Sequence, residues 1–149
     1  MKFFTAAIVS SLLAIASATP TLQCSEADRF GGVAVSPTTF AAGDNVQISA
    51  DFTCAVQHYG HIPKYTDYYI EVPQGNNGHE PPILLARREP AAGATSDSFS
   101  VQIPHAYYFG DASYVVIMDV TFASNGTDGS PYYSVGGVEA PVIITGATN

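Results

Sequence analysis

The stretch that most restricts the fold is NVQISADFTC, residues 45–54. Val46, Ile48, Ala50, Phe52 and Cys54 fall on one side of an extended chain; Gln47, Ser49, Asp51 and Thr53 fall on the other. A period of two marks a strand with one dry face and one wet face, and this register sends Cys54 inward. The alternation returns in DSFSVQI (97–103) through Phe99, Val101 and Ile103, and in YVVIMDVTF (114–122) through Tyr114, Val116, Met118, Val120 and Phe122. In DYYIEV (67–72), Tyr68, Ile70 and Val72 share the apolar side, which turns Tyr69 to the opposite one. Val115 and Ile117 make the reverse side of 114–122 apolar too, predicting a central strand covered on both faces. Shorter strand candidates are GVAVS (32–36), ILLAR (83–87), YYSV (132–135) and PVIIT (141–145). Gly and Pro punctuate the chain between these segments, and helix signals are almost absent after residue 18. Seven or eight short strands predict an all-β fold, an antiparallel immunoglobulin/fibronectin-like β-sandwich.

The N-terminus sets the compartment. Lys2 precedes the apolar run AAIVSSLLAIA (6–16), and ASA (16–18) is a small-x-small cleavage site. Residues 1–18 therefore read as a secretory signal peptide, leaving 19–149 as one secreted, extracellular domain of 131 residues. No later apolar run reaches the length of a membrane span, so none is expected after signal cleavage. Removing Lys2 from the 5 basic residues leaves 4 against 13 acidic ones, a formal charge of −9. That balance argues against nucleic acid and anionic membrane as partners, both of which demand basic surface. Outside the cell, the two cysteines, Cys24 and Cys54, are expected to form one disulfide. NGT (125–127) makes Asn125 a glycosylation acceptor. A monomer is expected.

FGDASYVVIM (109–118) carries a Gly-Asp turn that enters a strand through Tyr114. It resembles the tyrosine corner of β-sandwiches, in which the hydroxyl bonds to backbone upstream. Val116 stands where an antibody-type domain has its second cysteine, which excludes that disulfide pattern. The order of VAVSPTTFAAGDNVQISADF, YYIEV, FSVQIP, GDASYVVIMDV and SPYYSV is similar to secreted fungal domains of the Kre9/Knh1-like, Ser/Thr-rich cell-surface family. The resemblance spans roughly residues 32–135. It departs from the family in lacking Trp after the second strand and in lacking a Ser/Thr-rich stalk. What it implies is a sandwich at the cell surface or wall. It brings no catalytic residues.

Four histidines attract attention, two of them in HYGHIPKYTDYY (58–69). His58 and His61 lie in the connection before the third long strand, at the same end of a sandwich as the Asn125 turn. His79 and His105 lie in connections at the other end. Neither end then offers the three histidines of an all-His metal centre, so no metal and no cofactor is expected. A copper brace of the polysaccharide monooxygenase kind needs histidine as the first mature residue, where Thr19 stands. Glu71, Asp51 and Asp119 fall on outward strand positions without singling out a hydrolytic pair, and no Gly-x-Ser-x-Gly elbow occurs. No catalytic residue is assigned. Arg87 and Arg88 read as charges on an edge strand.

The aromatics remain. Tyr59 and Tyr65 surround the first histidine pair, and Tyr107, Tyr108 and Phe109 crowd the connection at 104–113. Such rings either plug the open ends of a sandwich or stack on sugars and protein partners. A glycan on Asn125 would crowd Tyr59 and Tyr65, which favours the 105–111 end. The expected activity is non-catalytic, binding or structural, in the extracellular space or cell wall, toward cell-wall polysaccharide or an extracellular protein. A secreted effector or inhibitor engaging foreign proteins is the alternative, with a small hydrolase third.

Overall fold

The computed structural model describes residues 21–73 and 80–146; the signal peptide reading and His79 lie outside them. The chain is all-β. Its strands are β1 (Gly32–Ser36), β2 (Thr39–Ala41), β3 (Asn45–Asp51), β4 (Pro63–Glu71), β5 (Ile83–Arg88), β6 (Ser96–Gln102), β7 (Val115–Asn125), β8 (Pro131–Pro141) and β9 (Ile143–Thr145). One sheet has the order β1-β3-β6 and a second the order β5-β4-β7-β8, with antiparallel neighbours throughout both. This is the predicted sandwich; β9 falls inside the predicted strand PVIIT, whereas β2 and its parallel pairing with β9 were not revealed by the strand pattern.

The alternation places the core where expected. Val46, Ile48 and Ala50 from the first sheet, with Phe52 just past the end of β3, meet Tyr68, Ile70, Val116, Met118 and Val120 from the second, all buried. Core aromatics pack edge to face, as Tyr68 does on Phe99 with centroids 4.9 Å apart. Both open sides of the sandwich are closed. On one, β2 leaves the line of β1 and pairs with β9, beside the end of β8. On the other, Arg88 of β5 grips Asp97 of β6 through two hydrogen bonds of 2.8 and 2.9 Å, joining the two sheets. Arg87, the other half of the dibasic pair, makes a fork to Asp67 at 2.6 and 2.7 Å on the outer face of its own sheet. The arginines do lie on an edge strand, and each is committed to a carboxylate.

Two expectations need correction. The strand at 45–54 ends at Asp51, and Thr53–Gln57 forms a short helix, α1. The Asp51 carboxylate accepts the Thr53 N–H at 2.8 Å, a local side-chain bond that turns the backbone out of the sheet. Cys54 therefore sits half-buried at the end of the sandwich rather than facing its core. Strand β7 is central, between β4 and β8, but its outer face is covered only at one end: Val115 is buried, Ile117 half-buried and Ala123 exposed.

Candidate functional site

Three surfaces compete, and the first is the connection from β6 to β7. Tyr108 is only 4% exposed; its hydroxyl donates to the Pro104 carbonyl at 3.0 Å and its ring packs edge-on against Tyr114. It plugs the end of the core and is removed from the candidate binding residues. The Tyr114 hydroxyl accepts the Phe109 N–H at 2.9 Å and donates to the Glu80 carboxylate, 2.9 Å from Oε2. The tyrosine corner is thus present, extended by an acid from the β4–β5 connection. Burial pushes the Tyr114 phenol up to about 12, with the Glu80 charge adding to the shift. Tyr114→Phe removes the acceptor for a backbone N–H and a donor to Glu80, and is expected to cost about 1–3 kcal/mol in urea unfolding; an unchanged midpoint would count against the corner. Tyr107 and Phe109 remain outside, 61% and 39% exposed. Their rings meet at 74° with centroids 4.9 Å apart, so they share no plane on which a sugar chain could lie flat. His105 packs against Gly43.

The second surface is the end built by α1 and the start of β4. Here the disulfide Cys24–Cys54 folds residues 24–30 back over the sandwich, and Glu26–Phe30 makes a turn of 3-10 helix there. The Tyr59 hydroxyl donates to the Ser25 carbonyl at 2.8 Å. His61 Nδ1 lies 2.8 Å from the Arg29 carbonyl; since a carbonyl only accepts, that nitrogen carries the proton. The His61 ring stacks at 4.2 Å on Phe122 and 5.6 Å from Phe30. His58 meets the edge of Tyr59. HYGHIPKYTDYY therefore divides at Pro63, four residues earlier than the predicted strand start: a packed plug, then β4. Tyr59 is half-buried in that plug, which withdraws it as a binding residue. Among the described residues, no group of three or more His, Cys, Asp or Glu is placed to hold a metal ion.

The third surface, the outer face of the four-stranded sheet, was not singled out from the sequence. By strand parity it carries Tyr65, Asp67, Tyr69 and Glu71 from β4, Leu84 and Arg87 from β5, Ile117, Asp119 and Thr121 from β7, and Tyr133, Val135, Gly137 and Glu139 from β8. Tyr65 is half-buried beneath the Arg87 guanidinium, with the Lys64 ammonium 5.4 Å from its ring. Gly137 is paired with Asp119, and a methyl group there would come within 2.7 Å of Asp119 Oδ1. The missing side chain leaves an open recess of about 280 Å³ lined by Ile117, Asp119, Gly137, Val138 and Glu139. Partial burial raises the Asp119 carboxyl above its ordinary range, with Asp67 adding to the shift. Burial also raises Glu71, followed by repulsion from Asp119 and Glu139. The signal available in sequence was the shared outward parity of residues 67, 71 and 119; Glu139 lay in no predicted strand, and the register that brings these residues together was not readable there.

Asn125 is exposed as the last residue of β7, on this same outer side, with Tyr133 opposite Ala123 two residues back. A glycan on it would crowd Tyr133 rather than the plug holding Tyr59 and His61.

No family model matches the chain, and no curated protein matches it. Among solved structures it is similar to superoxide reductase (neelaredoxin) from Ignicoccus hospitalis, at 11% identity and a TM-score of 0.44, over 76% of this chain and 79% of that one. A variant of the same reductase gives 11% identity and a TM-score of 0.43, over 75% and 78%. No residue role is transferred from them. The described residues contain no helix long and apolar enough to cross a membrane.

Proposed function

We propose that this chain is a secreted, non-catalytic β-sandwich that works in the extracellular space or cell wall by binding, and that it binds through the outer face of its four-stranded sheet. The observation that carries this reading is the contrast between the two outer faces. On the three-stranded sheet Gln47 accepts from Ser100 at 2.8 Å and donates to Ser98 at 2.6 Å, closing an uncharged ladder upon itself. On the four-stranded sheet, Leu84 is 54% exposed, and Asp119 and Glu139 line a recess where, among the described residues, neither forms an ion pair. Exposed apolar surface rimmed by polar groups is a feature of interaction surfaces. The same carboxyls stand side by side on one sheet face, whereas glycoside hydrolysis needs two flanking a single bond. That arrangement supports binding over hydrolysis.

The disulfide and the signal-like N-terminus support secretion, and the likeness to Kre9/Knh1-like domains supports a wall setting. A second reading rests on Tyr107 and Phe109, whose exposure favours contact with a sugar or a partner at the β6–β7 end. Retention on isolated cell walls separates the two. The Asp119→Asn, Leu84→Ala double variant is expected to lose about tenfold or more in retention while Tyr107→Ala retains it. The reverse pattern moves the site to the β6–β7 end, and no retention of the parent protein sinks the wall-binding form.

A further inference from the structure

We propose that the outer sheet face docks an extended polypeptide segment bearing lysine or arginine, one of whose cationic side chains enters the recess over Gly137 beside Asp119. This deepens the binding reading above and rests on it.

The recess has the shape and chemistry of a receptor for one long, charged side chain. Its floor is bare backbone, because Gly137 has no side chain to oppose Asp119. Ile117 and Val138 give it apolar walls, and Asp119 and Glu139 give it acid. Lysine and arginine match that division, laying an aliphatic stem on apolar surface while the charged head finds carboxylate. The chain cannot supply such a cation from its described residues. Those residues hold four basic side chains, and each is engaged elsewhere: Arg29 with Glu26, Lys64 with Tyr133, Arg87 with Asp67 and Arg88 with Asp97. Glu71, Asp119 and Glu139 meanwhile repel one another or Asp67, so an arriving cation relieves a repulsion already present.

Charge also disposes of the other occupants. A second copy would set this acidic face against an acidic chain with a formal net charge of −8. Anionic polymers are repelled in the same way. A neutral polysaccharide wants an open aromatic platform; Tyr69, the ring on β4 between Asp67 and Glu71, is half-buried, and the exposed Tyr133 carries the Lys64 ammonium 4.5 Å over its ring. A peptide satisfies both the acids and the exposed Leu84 across the sheet. Asn125 stands at the far end of β7 from Ile117 and Asp119, which leaves the recess open when a glycan is attached.

The test is a titration of the isotope-labelled protein with hexalysine, a neutral Gly/Ser hexapeptide and cellohexaose at low salt, read by amide shifts. Saturable shifts at Ile117, Asp119, Gly137 and Glu139 with hexalysine alone are expected. Asp119→Asn should weaken that binding about tenfold, Gly137→Ala should weaken it by filling the recess, and Asp111→Asn, an acid at the β6–β7 end, should leave it unchanged. Shifts spread evenly over all acids, or equal effects of Asp119→Asn and Asp111→Asn, would overturn the inference. Cellohexaose binding at the recess without hexalysine binding would overturn it while leaving the sheet face as the binding site. Shifts confined to Tyr107 and Phe109 would overturn both.

Discussion

Replacing Cys54 by serine is expected to lower the unfolding free energy by about 3.5 kcal/mol. The bridge closes a loop with a sequence separation of 30, and chain-entropy arithmetic for that length gives roughly this value. The structure adds a second consequence. Residues 24–30 are held over the end of the sandwich by the bridge, the Tyr59–Ser25 hydrogen bond, the His61–Arg29 contact and the ring of Phe30. That ring packs so closely on Gly136 that any side chain at this position would collide with it. Without the bridge, this short segment must stay docked on one aromatic ring and a few hydrogen bonds. Thermal unfolding with and without reductant measures the effect: both the serine variant and the reduced parent protein should melt roughly 10 °C lower. Identical melting under reducing and oxidising conditions would show that the bridge does not hold the domain together.

Phe122→Ala is expected to cost about 3–5 kcal/mol, the usual range for removing a buried aromatic ring. Phe122 is buried near the inner end of β7 and stacks on His61, with Phe30 5.9 Å away. The cavity would open beneath the plug, so hydrogen exchange at residues 25–30 should accelerate together with the loss of global stability. Phe122→Leu, which refills most of that volume, should recover more than half of the loss. A penalty under about 1 kcal/mol for the alanine variant would mean that the plug relaxes into the space and that the stacking carries little energy.

The parts of the molecule readable in the sequence are those governed by nearest neighbours. Alternation in 45–52, 67–72, 97–103 and 114–122 placed Ile48, Phe52, Tyr68, Ile70, Met118 and Val120 in the core, where they are found. A Gly-Asp turn followed by Tyr114 indicated the corner, and an even cysteine pair indicated the bridge. Local chemistry hidden inside the pattern was missed: Asp51 ends β3 by accepting the Thr53 N–H, so the period of two stops short of Cys54. Aromatic content alone could not tell a plug from a platform. Tyr108 and Tyr107 are adjacent in sequence, yet one is sealed under Pro104 and the other stands in solvent.

The facing of residues within the long strands was thus determined by the sequence itself, because side-chain direction in an extended chain depends only on parity. What tertiary structure decided was which parities meet. The pairing of β7 with both β4 and β8 carries Asp119 opposite Asp67 on one side and opposite Gly137 on the other. Residues 67, 119 and 137 lie far apart along the chain, and a shift of one residue in either ladder would have turned one of them to the core. The recess and its unpaired acids exist only through that register.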